Sequence, residues 1–346
     1  MQVALVIATL RPRRVCLLRS SISDIDCNMG RFPPELEQAI LKMCAEDDWS
    51  FIPTLLCVAQ RAHIWLEPLL YQHVYISTDL ERKPAQDAFF HVAVARPQSF
   101  LAKSVRVVVL ELDHSGTPAQ DLLERTYHAL RSCTGIQEFA VNGADKMDIG
   151  PTLFPILATM PLRRLGAFLE NLLPYPISMK DHAPAFSALT HLDVFDNEGH
   201  NSHSRDSDLI RIVPFLTALP SLTHLALESQ PPAHCIQQIL DGCAFLQVLA
   251  FMEPSQTLIP DLVPDLIEYL HGLPICDPRI VVSVYDEWEE VISSYEHSFW
   301  TAIDIFLEYR KQGRIDKDRI YTGDFHDEYS TDPTAQLIRQ QILDVA

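Results

Sequence analysis

"FSALTHLDVFDNE" occupies residues 186–198 and "LPSLTHLALESQP" residues 219–231, so Leu-Thr-His-Leu appears twice, 33 residues apart. Aligning the phrases exposes a template, L-x-x-L-x-L, filled by Leu189, Leu192 and Val194 and again by Leu222, Leu225 and Leu227. Looser copies stand at Val105, Val108 and Leu110, at Ile136, Phe139 and Val141, at Leu162, Leu165 and Ala167, and at Leu246, Leu249 and Phe251. Their starts are 31, 26, 27, 33 and 24 residues apart, a period at which one supersecondary unit repeats.

Between the copies, apolar residues recur at helical spacing. "AQDLLERTYHALRSC" puts Leu122, Leu123, Tyr127 and Leu130 on one face, and "CIQQILDGC" reads the same way. In "SDLIRIVPFLTALP", Pro214 must kink or shorten the helix. A short strand followed by a helix, repeated at this period, resembles degenerate leucine-rich repeats. The predicted fold class is therefore an α/β solenoid of short parallel strands alternating with helices. An ordinary α/β domain of βαβ units is the alternative.

The fourth and sixth template positions point inward from each strand, so the residues between and beside them point to the opposite, concave face. Glu138, Arg164, His191, Asp193, His224 and Glu228 are thus the candidate contacts to a protein substrate, with Ala140, Ala226, Val248 and Ala250 among them. His191 and His224 fall in register, which predicts surface neighbours on a strand ladder rather than a metal pair.

Composition narrows the function. The 346-residue chain carries a formal net charge of −19, without a long basic run, which argues against nucleic acid and anionic membranes as partners. No apolar run approaches the roughly 18 residues that span a bilayer. Eight scattered cysteines without a Cys-x-x-Cys pair, and no Asn-x-Ser/Thr acceptor, predict a reduced, intracellular protein, cytoplasmic or nuclear. No nucleophile elbow, phosphate loop or His-Glu-x-x-His stands in the sequence, so no catalytic residue, metal or cofactor is assigned. The loop "DNEGHNSHSRDSD", residues 196–208, gathers Asp196, His200, His203, Asp206 and Asp208. That composition suits a divalent metal, but it suits a solvated, turn-rich loop better.

"FPPELEQAILKMC", residues 32–44, starts a helix with prolines and glutamates in its first turn and puts Leu36, Ala39, Ile40, Met43 and Cys44 on one face. Two short apolar helices and a first strand at Val74–Ile76 follow. Phe32-Pro-Pro-Glu-Leu36, Leu55-Leu-Cys-Val-Ala59 and Glu67-Pro-Leu-Leu-Tyr71 together resemble an F-box-like module, as found in fungal F-box-like proteins with degenerate leucine-rich repeats. The resemblance covers residues 30–77 by motif and the later repeats by organisation. It implies a small three-helix module that docks on the Skp-type adaptor of a cullin–RING ubiquitin ligase, while the repeats choose a protein substrate. By that resemblance Phe32, Pro33, Pro34, Leu36, Ile40, Leu55, Arg61, Trp65, Pro68, Leu69 and Tyr71 are the adaptor-binding candidates. The alternative is a binding scaffold in which these helices only cap the first repeat.

The expected organisation is a leader over 1–28, the helical module over 29–77, the repeats over 78–285, a helical cap over 286–315 and an acidic tail over 316–346. The leader holds four arginines and no acid before Asp24, the composition of an organelle-targeting peptide or a disordered leader. In the cap, Trp288, Val291, Ile292, Phe299, Ile303, Phe306 and Leu307 form the expected apolar face over the end of the repeats.

Overall fold

All eighteen template residues are buried in the computed structural model, most of them completely. The structure describes residues 32–78, 82–112, 120–143, 149–173, 179–196, 208–228, 230–254, 262–285 and 299–322. Two compact units divide the chain, Met1–Ile136 and Gln137–Ala346. Both are built on parallel strands alternating with helices, an α/β fold.

In the first unit, helix α1 (Pro34–Asp47) begins at a proline, which has no N–H to leave unpaired, with Glu35 and Glu37 at the positive end of the dipole. Asp48 ends it and accepts the Ser50 N–H at 2.8 Å, which starts a short 3-10 turn and holds the Asp48 carboxyl below its ordinary value. Helices α2 (Ile52–Leu56) and α3 (Gln60–Leu66) and a 3-10 turn (Glu67–Tyr71) follow. Ala45, Ile52 and Leu66 form the centre of this small bundle, packed about by Leu41, Leu55, Trp65 and Leu69.

Strand β1 (His73–Ser77), helices α4 (Lys83–Ala95) and α5 (Gln98–Ser104), strand β2 (Val107–Glu111) and helix α6 (Gln120–Leu130) complete the unit. β1 and β2 pair in parallel, His73 opposite Val107. Glu111 ties their ends, accepting the Tyr75 hydroxyl at 2.5 Å and the Ser77 hydroxyl at 3.1 Å. Gly135 must be glycine for space. A Cβ there would lie 1.9 Å from the Ala102 carbonyl oxygen, while its own carbonyl accepts from the Arg106 guanidinium at 2.7 Å.

The second unit runs β3 (Glu138–Asn142), α7 (Gly150–Leu157), β4 (Arg164–Ala167), α8 (Leu169–Leu172), a 3-10 turn (Met179–Phe186), β5 (His191–Val194), α9 (Asp208–Leu216), β6 (His224–Leu227), α10 (Ala233–Gly242), β7 (Val248–Pro254), α11 (Leu262–Gly272), β8 (Ile280–Tyr285) and α12 (Phe299–Lys311). The strands pair in chain order, all parallel. One row of register partners is Phe139, Leu165, Leu192, Leu225, Leu249 and Ile280; the next on that face is Ala167, Val194, Leu227, Phe251 and Val282. All but Ile280 and Val282 are template residues, and helical segments connect the strands in chain order. Pro214 shortens α9, which ends two residues later.

Burial also sorts the cysteines. It pushes the Cys133 thiol up to about 12 and the Cys243 thiol up to about 11, whereas Cys44, Cys57 and Cys276 are exposed. Under native conditions a maleimide is therefore expected to label Cys44, Cys57 and Cys276 well before Cys133, Cys235 and Cys243, as peptide mapping after a short pulse would report.

Candidate protein-docking site

Helix α1 packs the bundle through Leu41 and Ala45, which turns its other apolar stripe outward. Leu36, Ile40 and Met43, at i, i+4 and i+7, are 53%, 47% and 63% exposed. Phe32 precedes the stripe, and Phe51, Val58 and Ile64 are exposed on the following segments. Seven of the ten exposed large hydrophobics among the described residues lie between 32 and 64, so this segment carries most of the uncovered apolar surface.

The adaptor-binding candidates divide into two groups. Phe32, Pro33, Pro34, Leu36 and Ile40 are exposed, as is Arg61, whose guanidinium donates to Glu37 at 2.6 and 3.0 Å and ties α3 to α1. Leu55, Trp65 and Leu69 pack into the bundle instead, and Pro68 is half-buried in the 3-10 turn. Tyr71 is buried edge-on against Phe100 at 5.7 Å, and burial raises its phenol above the ordinary value. Met43, not among the candidates, completes the stripe. Its spacing seven residues after Leu36 is the sequence signal that points to it.

The other candidate row lies on the far face of β3–β8, where Glu138, Arg164, His191, His224 and Val248 are register partners. This face is not open in the region of β5–β8. Helix α12 lies on it, burying Trp300, Ile303, Phe306 and Tyr309 against Ala226, Val248, Ala250, Met252 and Val281. The expected surface histidines are consequently 9% and 6% exposed. Their rings stack at 4.1 Å and 9°, and the Trp300 indole meets both edge-on, at 5.4 and 5.3 Å. Of the expected cap face, Phe299, Ile303, Phe306 and Leu307 do belong to this packing, on the sheet face; Trp288, Val291 and Ile292 lie outside the described residues.

The repeated phrase accounts for the stack. The Thr190 hydroxyl donates to the Arg163 carbonyl and the Thr223 hydroxyl to the Thr190 carbonyl, each at 3.0 Å, clipping each strand to the one before. A hydroxyl has one proton to give, so each His Nδ1–H must donate to its threonine oxygen, at 2.9 Å for His191 and 2.8 Å for His224. Both rings are thereby fixed in one rotation. His224 Nε2 then meets Asp304 Oδ1 of α12 at 3.0 Å. Burial, His224 and Arg164 hold His191 well below its ordinary value, so it stays neutral.

Small residues make room on this face. Ala226 and Ala250 lie in the cluster under α12, and in the same register row a Cβ on Gly166 would approach the Phe195 ring to 2.9 Å. Arg310 fastens the end of α12, donating to the carbonyls of Pro278 and, at 3.0 Å, Arg319.

Acids gather where β5 and β6 end. Asp193 is raised to about 7 by burial, against the pull of Arg164, and Glu228 to about 8 by burial and by Asp193 and Glu253. Asp196 accepts the Leu169 and Glu170 N–H groups at 2.6 and 3.1 Å, capping α8; burial still raises it to about 7. The cavity between Asp193, Glu228, Met252 and Phe299 measures about 10 Å³, the space of a single water and too little for a substrate. Glu138 and Arg164 form an ion pair at 3.5 Å. The rest of the 196–208 loop lies outside the described residues.

No protein-family model matches the chain, and neither does any curated protein. Among the described residues no group of His, Cys, Asp and Glu is arranged to hold a metal ion, and no helix is long and apolar enough to cross a membrane.

Proposed function

We propose that the chain is a substrate-recruiting subunit of a Skp–cullin–F-box type ubiquitin ligase, acting by binding rather than by catalysis, in the cytoplasm or nucleus. The observation that carries this reading is the outward stripe of Leu36, Ile40 and Met43 on α1. A helix that packs through Leu41 and Ala45 while leaving three large apolar residues in water favours a partner that covers them. The F-box-like phrases fall on the same module, and the strand–helix alternation behind it supports a degenerate leucine-rich solenoid as the substrate-binding part. Uncovered apolar residues on a mere cap would be a liability, which favours docking over capping.

The structure-guided variant is Leu36→Asp with Ile40→Asp, since Leu69 and Trp65 pack into the bundle and Tyr71 is buried against Phe100. Both exposed substitutions are expected to shift the melting temperature by no more than about 2 °C. Co-purification of a tagged parent chain with a Skp-type adaptor, and loss of that adaptor from the double variant, is the expected outcome. A folded parent that retains no adaptor contradicts the reading.

A further inference from the structure

One member of the outward stripe on α1 carries chemistry that the other two lack. Leu36 and Ile40 are hydrocarbons, whereas Met43 ends in a thioether whose sulfur oxidises to a sulfoxide. Its position suits it to that change. Met43 is exposed, and the bundle centre of Ala45, Ile52 and Leu66 is built without it. Met160 and Met252 are buried, Met252 among the residues that α12 covers, where a sulfoxide would disturb packing. Of these three, Met43 is the one that an oxidant reaches first and at which oxidation spares the fold.

We propose that Met43 is an oxidation-sensitive switch of adaptor docking: a hydroperoxide converts its thioether to the sulfoxide, and the sulfoxide weakens the hold on the adaptor. This rests on adaptor docking through α1. In the step, with hydrogen peroxide, the sulfur lone pair attacks one peroxide oxygen and the O–O bond breaks. The proton of the transferred hydroxyl passes to the departing oxygen, which leaves as water. Sulfur is oxidised by two electrons and the peroxide reduced by two. The product presents a strongly polar acceptor where the stripe was apolar. Met43 stands seven residues after Leu36 on the same face of α1, so a partner that covers the stripe covers it too. Under an apolar partner surface the new oxygen loses its water without a replacement, and a buried acceptor left unsatisfied weakens binding. Docking in turn shields the sulfur, so oxidation acts on the free chain.

The test treats the purified intact chain with hydrogen peroxide, removes the excess with catalase and titrates in a Skp-type adaptor by calorimetry. Peptide mapping is expected to find the added oxygen on Met43 about tenfold sooner than on Met160 or Met252. Adaptor affinity is expected to fall about tenfold while the melting temperature holds. Dithiothreitol returns the exposed thiols of Cys44, Cys57 and Cys276 but not a sulfoxide, so it is expected to leave the loss in place, and methionine sulfoxide reductases to reverse it. In Met43→Leu the affinities before and after peroxide are expected to agree, whatever their starting value. If the untreated chain binds the adaptor, three results overturn the inference and leave adaptor docking standing: an affinity unchanged by peroxide, recovery with dithiothreitol alone, or an equal loss in Met43→Leu. A folded, untreated chain that binds no adaptor overturns adaptor docking, and this inference with it.

Discussion

Replacing Trp300 with alanine is expected to lower the unfolding free energy by about 3–5 kcal/mol, measured by urea denaturation followed by circular dichroism. Trp300 is fully buried and is the side chain through which α12 covers the histidine pair. Its removal deletes the packing of a large aromatic and opens a cavity over two imidazoles and a carboxylate. His191 was held neutral by that burial, and Asp193 loses the indole hydrogen bond that favours its charged form. Trp300→Phe keeps most of the apolar contact but not the N–H donor, so its loss is expected to be about half as large. A loss below about 1 kcal/mol for the alanine variant would mean that α12 contributes no more to the fold than an ordinary surface residue.

Stability is expected to rise as the medium is acidified from pH 8 towards pH 6. Asp193 and Asp196 titrate near 7 and Glu228 near 8 in the folded chain, against ordinary carboxyl values near 4 in the unfolded one. Between those limits the native state holds more protons than the unfolded state, so the unfolding free energy increases as pH falls. The gain between pH 8 and pH 6 is about 2–4 kcal/mol, with solvent reaching the partly exposed Asp193 and Glu228 and trimming the larger figure. Histidines oppose it at lower pH. His191 and His73 are both depressed, by burial first, so below pH 6.5 the unfolded chain takes protons that the native chain resists. A maximum near pH 6 is the result. Glu228→Gln removes the largest single contribution and is expected to stabilise the protein by about 2 kcal/mol at pH 8 while changing it little at pH 5. A stability profile flat from pH 6 to 8, unchanged in Glu228→Gln, would show that these carboxyls are solvated as charges.

The alternation of strand and helix was legible because the L-x-x-L-x-L template reports burial on one sheet face, and each of its positions proved buried. The first strand, expected at Val74–Ile76, gained one residue at each end. What the far face meets is a different matter. Amphipathicity in residues 299–311 announces a helix that must be buried somewhere, but periodicity does not say on which surface. A signal was present and went unused: Ala140, Gly166, Ala226 and Ala250 occupy one register row. Small residues at four of the five positions from β3 to β7, interrupted by Asp193, on a face meant for solvent mark a surface that another element approaches closely. The histidines misled for a related reason. Leu-Thr-His-Leu reads as apolar-in and polar-out, yet a threonine that bonds the previous strand and fixes the ring beside it turns the polar positions into a platform for tryptophan.

For α1 the apolar stripe was visible in the sequence, and its direction was not. Leu36, Ile40 and Met43 could as well have faced the bundle, but Leu41 and Ala45 took that place. Tyr71 and Trp65 are among the adaptor-binding candidates that the resemblance implies, yet Trp65 packs into the bundle and Tyr71 is buried against Phe100 of α5.

The measurement that bears most directly on the proposed function is a calorimetric titration of a purified Skp-type adaptor into the purified, folded chain. The account predicts saturable one-to-one binding at micromolar or tighter concentrations, abolished by Leu36→Asp with Ile40→Asp while the variant keeps the parent's melting temperature. Absence of binding by the folded parent, or equal binding by parent and variant, would contradict it.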